Sequence, residues 1–266
     1  MKTIPEIILQ NRELLQCDWW TRFDEFSTDQ SLGRPRPDVQ KPAPANAIRV
    51  DLAPIEAISL GDVSLKQVIG QRRSLRHFSA EPLNLEEISF LLWATQGVSQ
   101  VIEASDITYF KRTVPSGGNR HPFETYISAH NVSGLEVGLY RYLPLDHQLV
   151  VETLDPDLPA RVQQASLDQY SMVDGKRFNF VEGSAATFIW TATPYRTEWR
   201  YGPAAAKLVA VDAGHLAQNL YLACGAVGAG MVAVGAFDRL KADAVLGVDG
   251  TEEFSIYMAP VGKRLG

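Results

Sequence analysis

The chain has 266 residues, of which 45% are apolar and 21% charged, and its 25 basic and 31 acidic residues leave a formal charge of −6 at pH 7. That length allows one or two domains with a substantial core, and the composition is that of a folded protein, which excludes a disordered chain. The acidic balance argues against a nucleic-acid-binding surface, which needs a concentrated basic face. Cys17 and Cys224 stand far apart without a CxxC or histidine-rich context, so free thiols and no metal site are expected. The opening residues MKTIPEIILQNRELLQ are interrupted by Glu6, Asn11 and Arg12 and lack the apolar core of a signal peptide. No run approaches the roughly 18 apolar residues of a membrane-spanning helix, so the expectation is a cytoplasmic protein with no membrane partner.

Residues 1–60 read as an N-terminal arm. An apolar-rich segment and the pair Trp19-Trp20 precede a linker with Pro35, Pro37, Pro42 and Pro44, where fixed backbone angles favour extended chain without a ladder. The paired indoles suggest an arm packed on the body or on a partner subunit. Residues 61–266 read as one domain. Ser64 with Gln67 resembles a capping box before a short helix that ends near Gly70. Asn84 with Glu87 opens a second helix, with Leu85, Ile88, Leu91, Leu92 and Val98 at helical spacing and Gly97 as a stop signal.

Strands are predicted over 123–130, 137–142 and 147–152, with a turn at Pro144-Leu145-Asp146, and a buried one over 185–193. Residues 203–227 predict a long helix that is apolar on nearly every side, with Ala206, Ala210, Ala213, Gly214 and Ala217 small enough for close helix contact. Asp238 caps a further helix through Leu246, stopped at Gly247, and residues 254–260 form a last strand. This order lacks regular βα alternation and predicts an α+β fold, with helices packed on a mostly antiparallel sheet.

Several short patterns carry chemistry. Arg72, Ser74 and Arg76 offer guanidinium forks and a hydroxyl suited to a phosphate, although the same residues suit an exposed helix end. In Pro115-Ser116-Gly117-Gly118-Asn119, a proline turn and two glycines let backbone approach a ligand closely; His121 follows as a base or a plain loop residue. Arg200-Tyr201 pairs a permanent cation with a phenol able to transfer a proton. The glycines from Gly225 to Gly235 follow a helix instead of a strand, which excludes a Rossmann fingerprint.

Together and in order, RRSLRHF (72–78), PSGGNRHPFE (115–124), GLYRY (138–142), AGHLAQNLYLACGAVGAG (213–230) and VGAF (234–237) resemble the flavin-dependent nitroreductase superfamily. More narrowly they look like its SagB-type thiazole/oxazole dehydrogenase branch. The resemblance spans roughly residues 64–264 and implies a nitroreductase-like fold, noncovalent FMN, and a homodimer with its sites at the interface. By position it implies Arg72, Ser74 and Arg76 at the FMN phosphate and ribityl chain, with Lys263 as a further phosphate candidate. It implies Pro115, Ser116, Gly117 and Asn119 along the isoalloxazine ring, from the other subunit, and Val234, Gly235 and Ala236 at the flavin edge.

The branch carries a Lys-Tyr pair before the long helix, which here reads Arg200-Tyr201. Arginine keeps the charge but stays protonated and is no base, so Tyr201 is the proton-transferring candidate. The resemblance leaves three readings open: dehydrogenation of a thiazoline or oxazoline in a modified peptide, NAD(P)H-driven reduction of nitroaromatics or quinones, and a flavin-binding scaffold subunit.

Overall fold

In chain order the helices of the computed structural model, which describes residues 2–104 and 107–265, are α1 (Ile4–Gln16), α2 (Leu65–Gln71), α3 (Leu85–Gln96), α4 (Leu158–Ala165), α5 (Tyr195–Tyr201), α6 (Ala205–Ala226) and α7 (Arg239–Leu246). The strands are β1 (Arg49–Asp51), β2 (Leu83–Asn84), β3 (Val98–Ala104), β4 (Ile107–Arg112), β5 (Phe123–Ala129), β6 (Val132–Ser133) and β7 (Gly138–Leu143). They continue as β8 (Gln148–Leu154), β9 (Ser171–Val173), β10 (Lys176–Phe178), β11 (Ala186–Ala192), β12 (Ala229–Met231) and β13 (Phe254–Lys263). Seven strands form one sheet in the order β1-β8-β7-β5-β11-β13-β12, and every neighbouring pair is antiparallel.

Alternation along β11 explains why its apolar run is buried throughout. Phe188 and Trp190 point into a core shared with Ile88, Leu91 and Leu92 of α3 and Val209, Leu216 and Leu220 of α6. Ile189 points the other way, toward Leu158 and Val162 of α4 and Ala242 and Leu246 of α7. The sheet is thus covered on both faces, an α+β architecture as expected.

Local signals set several boundaries. Asn84 accepts from the Glu87 amide at 2.9 Å while Glu87 accepts from the Asn84 amide at 3.0 Å, a complete capping box at the start of α3. Ser64 makes no such bond, although α2 begins directly after it. Val98, expected in the helix before it, instead opens β3, because α3 ends at Gln96 and the chain turns at Gly97 into the β3–β4 hairpin. Asp238 caps α7 through the Lys241 amide, and Gly247 closes it in a left-handed conformation. Both cysteines are free and buried.

The arm is docked on the body from Cys17 onward, where the thiol is buried and reaches the Ala204 carbonyl. The Gln30 amide donates to the Trp199 carbonyl at 2.8 Å, Trp199 Nε1 donates to the Arg34 carbonyl at 3.0 Å, and Tyr195 donates to Asp29 at 2.7 Å. Further on, Arg112 donates to the Val39 carbonyl at 2.6 Å, the Lys41 amide donates to Glu124 at 2.7 Å, and Arg141 donates to the Lys41 carbonyl at 2.8 Å. Prolines have no amide donor, and the segment bonds the body through its carbonyls and through the amides of Gln30 and Lys41. β1, inside the first 60 residues, then adds the edge strand beside β8. α1 itself buries none of its residues.

Candidate active site

The sequence-predicted residues gather at two places along α6. At the first, the chain leaving α2 forms a parallel bridge, Ser74 with Met231 of β12, and the Leu75 amide donates to the Met231 carbonyl at 2.9 Å. The approach is so close that a Cβ at Gly230 would lie 3.0 Å from Leu75 Cγ. Tyr221 of α6 ties the pieces together: its hydroxyl shares a 2.8 Å hydrogen bond with Ser74 Oγ and accepts from the Ala233 amide at 3.0 Å. The Arg72 guanidinium lies 5.0 Å from the centre of the same ring. Val234 pairs with Met258 through both backbone groups, while Gly235 and Ala236 beyond it are exposed.

A cavity of about 380 Å³ opens here, lined by Arg73, Ser74, Arg76, His77 and Arg264 with Gln71 and two leucines, and among the described residues by no carboxylate. Three guanidiniums and a hydroxyl form a donor set that fits a phosphate. Lys263 is directed elsewhere: its ammonium pairs with Glu87 of α3 and reaches the Val227 carbonyl at 3.5 Å. The next residue, Arg264, takes the cavity side, with Nε donating to the Ala229 carbonyl at 2.8 Å. Side-chain alternation at the strand end separates the two charges. The sequence reading missed Arg264 and Tyr221; the basic pair Lys263-Arg264 was visible, but which cation faced the site depended on strand register.

At the second place the loop after β4 packs on α5 and α6. Asp212 of α6 accepts from Ser116 Oγ at 2.6 Å and from the Gly117 amide at 3.1 Å, and Ser116 Oγ in turn accepts from the His121 amide at 2.9 Å. Burial raises the Asp212 carboxyl above the usual range, an effect offset by those hydrogen bonds. Asn119 donates through Nδ2 to the Phe110 carbonyl at 3.1 Å and accepts from His121 Nε2 at 3.2 Å. His121 is 4% exposed, and burial together with Arg112 and Arg120 pushes its pKa down to about 2, so the imidazole stays neutral.

Gly118 explains the glycine pair within this chain. It adopts φ +59°, and a Cβ there would fall under 3.0 Å from the Tyr201 hydroxyl and 3.1 Å from Arg200 Cδ. Tyr201 and Arg200 end α5, with the guanidinium 5.5 Å from the Tyr201 ring centre. Trp20 of the arm meets the same ring edge-on at 5.5 Å, and Trp19, Phe23 and Phe26 continue the aromatic cluster. Tyr201 is therefore gripped between the glycine loop and the arm.

Arg120, which the sequence reading passed over, is buried to 3% exposure over the Trp199 ring at 5.1 Å, and its Nε and Nη2 have no hydrogen-bond partner. Asp212 and Tyr221 are nine residues apart on α6, about 13 Å of helix rise. The two clusters thus lie along one helix, with no lining residue of the basic cavity in the glycine loop. Among the described residues no helix is long and apolar enough to cross a membrane.

Comparison with known proteins agrees with this geometry. Residues 69–263 match the Nitroreductase family. A Methanocaldococcus jannaschii protein named as a nitroreductase is 33% identical over 220 residues, which are 83% of this chain and 98% of that relative. The trifolitoxin-processing protein TfxB of Rhizobium leguminosarum bv. trifolii is 31% identical over 150 residues, 55% of this chain but 38% of that relative.

Among solved structures, one described as a nitroreductase from Anabaena variabilis ATCC 29413 aligns with a TM-score of 0.67 at 21% identity, over 90% of this chain and 42% of its own. One described likewise from Ralstonia eutropha JMP134 gives 0.62 at 23% identity, over 85% of this chain and 95% of its own. The NADPH:FMN oxidoreductase of Vibrio harveyi, complexed with NAD+, gives 0.50 at 16% identity, over 76% of this chain and 69% of its own. With the match running from the end of α2 to the end of β13, this chain belongs to the nitroreductase family of oxidoreductases.

Proposed function

We propose that the protein is an FMN-dependent oxidoreductase that works as a homodimer, with each site drawing on both subunits. The observation that carries the cofactor assignment is the cavity lined by Arg73, Ser74, Arg76 and Arg264, without a carboxylate among the described residues, a donor set matched to a phosphate monoester. Likeness in fold to an NADPH:FMN oxidoreductase supports the same group. Arg72 and Tyr221 brace Ser74 from behind, and the exposed backbone at Gly235 and Ala236 borders the ring's edge. When bound, the flavin supplies the hydride-accepting and hydride-donating chemistry.

The rest of the site is what the chain contributes. The loop at Pro115, Ser116, Gly117 and Asn119 presents small residues and is held rigid by Asp212, as a surface against a planar ring requires. Its separation along α6 from the basic cavity is the reason for assigning it to the other subunit's cofactor. The exposed, small-residue face of α6 at Ala206, Ala210 and Gly214 permits close helix approach between subunits. Tyr201 holds or moves a proton at its hydroxyl, and Arg200 keeps a fixed positive charge beside it.

For the electron partner, the reading favoured by the fold likeness is NAD(P)H-driven reduction of a nitroaromatic or quinone. The partial match to a trifolitoxin-processing protein, together with Tyr201, favours a second reading, oxidation of azoline rings in a modified peptide. The test is the visible spectrum of the purified protein, identification of the released flavin, and anaerobic addition of NADPH. Rapid bleaching of bound FMN supports the reductase, and bands that persist with NADPH but bleach with an azoline peptide support the second reading. A colourless protein that takes up no added FMN refutes both.

A further inference from the structure

Among the described residues, three arginines near Tyr201 have no acidic partner. Arg120 lies on the indole face of Trp199 with Nε and Nη2 buried and unbonded, and Arg36 stacks 5.2 Å from the centre of the Tyr109 ring with a buried, unbonded Nε. Arg200 lies over Tyr201, its Cδ 3.1 Å from the Cβ position of Gly118, two residues before Arg120. Shared neighbours bring the three together. Trp199 carries Arg120 on its face and donates to the Arg34 carbonyl, two residues before Arg36. Asn119 bonds the Phe110 carbonyl next to Tyr109, on which Arg36 stacks. Among the described residues none of the three guanidiniums forms an ion pair with a carboxylate.

The geometry points to an oxyanion-binding subsite formed by Arg36, Arg120 and Arg200 beside Tyr201, which holds the anionic group of the molecule that reacts there. A buried guanidinium without a counter-charge is unfavourable. A planar carboxylate or a phosphate pairs with a guanidinium through two oxygens at once, and Arg200, exposed beside the buried Arg120, is open to such a group. Burial and the neighbouring charges of Arg36 and Arg200 push the Arg120 pKa down to about 10, which leaves it charged at neutral pH and places positive potential where an anion arrives. Arg36 is held in place between Pro35 and Pro37, whose ring-locked backbone lies between the arm contacts at Arg34 and Val39. The arm thus supplies part of the subsite, and the substrate class is an anionic one.

The subsite itself stands on the arginines, while its assignment to the reacting molecule rests on the oxidoreductase reading above. The carboxylate of a substrate and the 2′-phosphate of a nicotinamide donor share this chemistry, so the test uses two charged-neutral pairs. Binding of 4-nitrobenzoate against 4-nitrobenzamide, and of NADPH against NADH, is measured by calorimetry on the protein as purified. At least a tenfold preference for the charged member of one pair is expected, and that pair identifies the source. Arg120→Gln and Arg36→Gln each reduce the preference to threefold or less, with Arg120→Lys between; Arg36→Gln keeps the test valid if the buried variant fails to fold. No preference in either pair, or a preference unchanged in the folded variants, overturns the subsite. A charge preference in a protein that holds no flavin leaves the subsite standing and refutes the oxidoreductase reading alone.

Discussion

Gly118→Ala tests the grip on Tyr201 directly. A residue with a Cβ in the left-handed region costs roughly 1–2 kcal/mol, and φ at Gly118 is +59°. The added methyl also meets the Tyr201 hydroxyl under 3.0 Å and Arg200 Cδ at 3.1 Å, and the ring cannot retreat because Trp20 packs on it at 5.5 Å. Forced contacts of this kind cost about 1–3 kcal/mol, so the expected destabilisation is about 2–5 kcal/mol. Gly117→Ala is the control: its Cβ meets only the flexible end of Leu208, at 3.2 Å, without a positive φ. Repositioning that leucine costs about 0.5–1.5 kcal/mol. Urea unfolding of both variants, of Tyr201→Phe, and of Gly118→Ala combined with Tyr201→Phe, completes a cycle in which removing the hydroxyl recovers part of the steric cost of about 1–3 kcal/mol. Equal losses at the two glycines, or no recovery without the hydroxyl, would refute the close approach of Tyr201 as the reason for glycine at 118.

Acid should destabilise the protein through its buried histidines, whose pKa values burial lowers to about 2 for His121 and about 4 for His130. The unfolded chain protonates first, near 6.5, so stability is lost as pH falls below that value, by up to about 2 kcal/mol for each histidine at pH 5; denaturation curves at pH 7.5 and 5 that coincide would contradict this. Deleting residues 1–45 removes one partner or more from each of Arg112, Glu124 and Arg141 and should cost at least about 3 kcal/mol at roughly 1–3 kcal/mol for each charged group that loses a hydrogen bond. Deleting residues 1–14, within a helix that buries nothing, should stay within about 0.5 kcal/mol, so like behaviour of the two truncations would count against the docked arm. Arg264→Gln should weaken FMN retention at least about tenfold, whereas Lys263→Gln, by leaving Glu87 unpaired, should lower the melting temperature with flavin affinity less affected; the reverse pattern in fluorescence titrations would return the phosphate to Lys263.

Elements with a strong local signature were legible in the chain. The reciprocal Asn84-Glu87 bonds, the Asp238 cap with its Gly247 stop, and the run at 186–192 each follow from residues within a few positions of one another. The β3–β4 hairpin and α5 were not anticipated. The hairpin carries a register shift near Val98 and lacks a clean alternation of burial, and α5 is a seven-residue helix without a side-chain cap. At the site, Arg72, Ser74 and the glycine loop were visible as motifs, while the roles of Tyr221, Asp212, Arg120 and Arg264 were not. Each of these acts on a partner distant in sequence, such as Ser74 for Tyr221, 147 residues away, and Ser116 for Asp212, 96 away.

The amino-acid sequence by itself determined the α+β class, the order of the principal helices and strands, and the short motifs that mark the family, because capping, turn chemistry and periodicity act over a few residues. Only the tertiary structure decided which of Lys263 and Arg264 faces the basic cavity, that the arm lies against Trp199 and Tyr201, and that three arginines meet with no ion-paired carboxylate among the described residues. Those outcomes depend on strand register and on packing between segments far apart in the chain, which set the direction of a side chain and the charge around it.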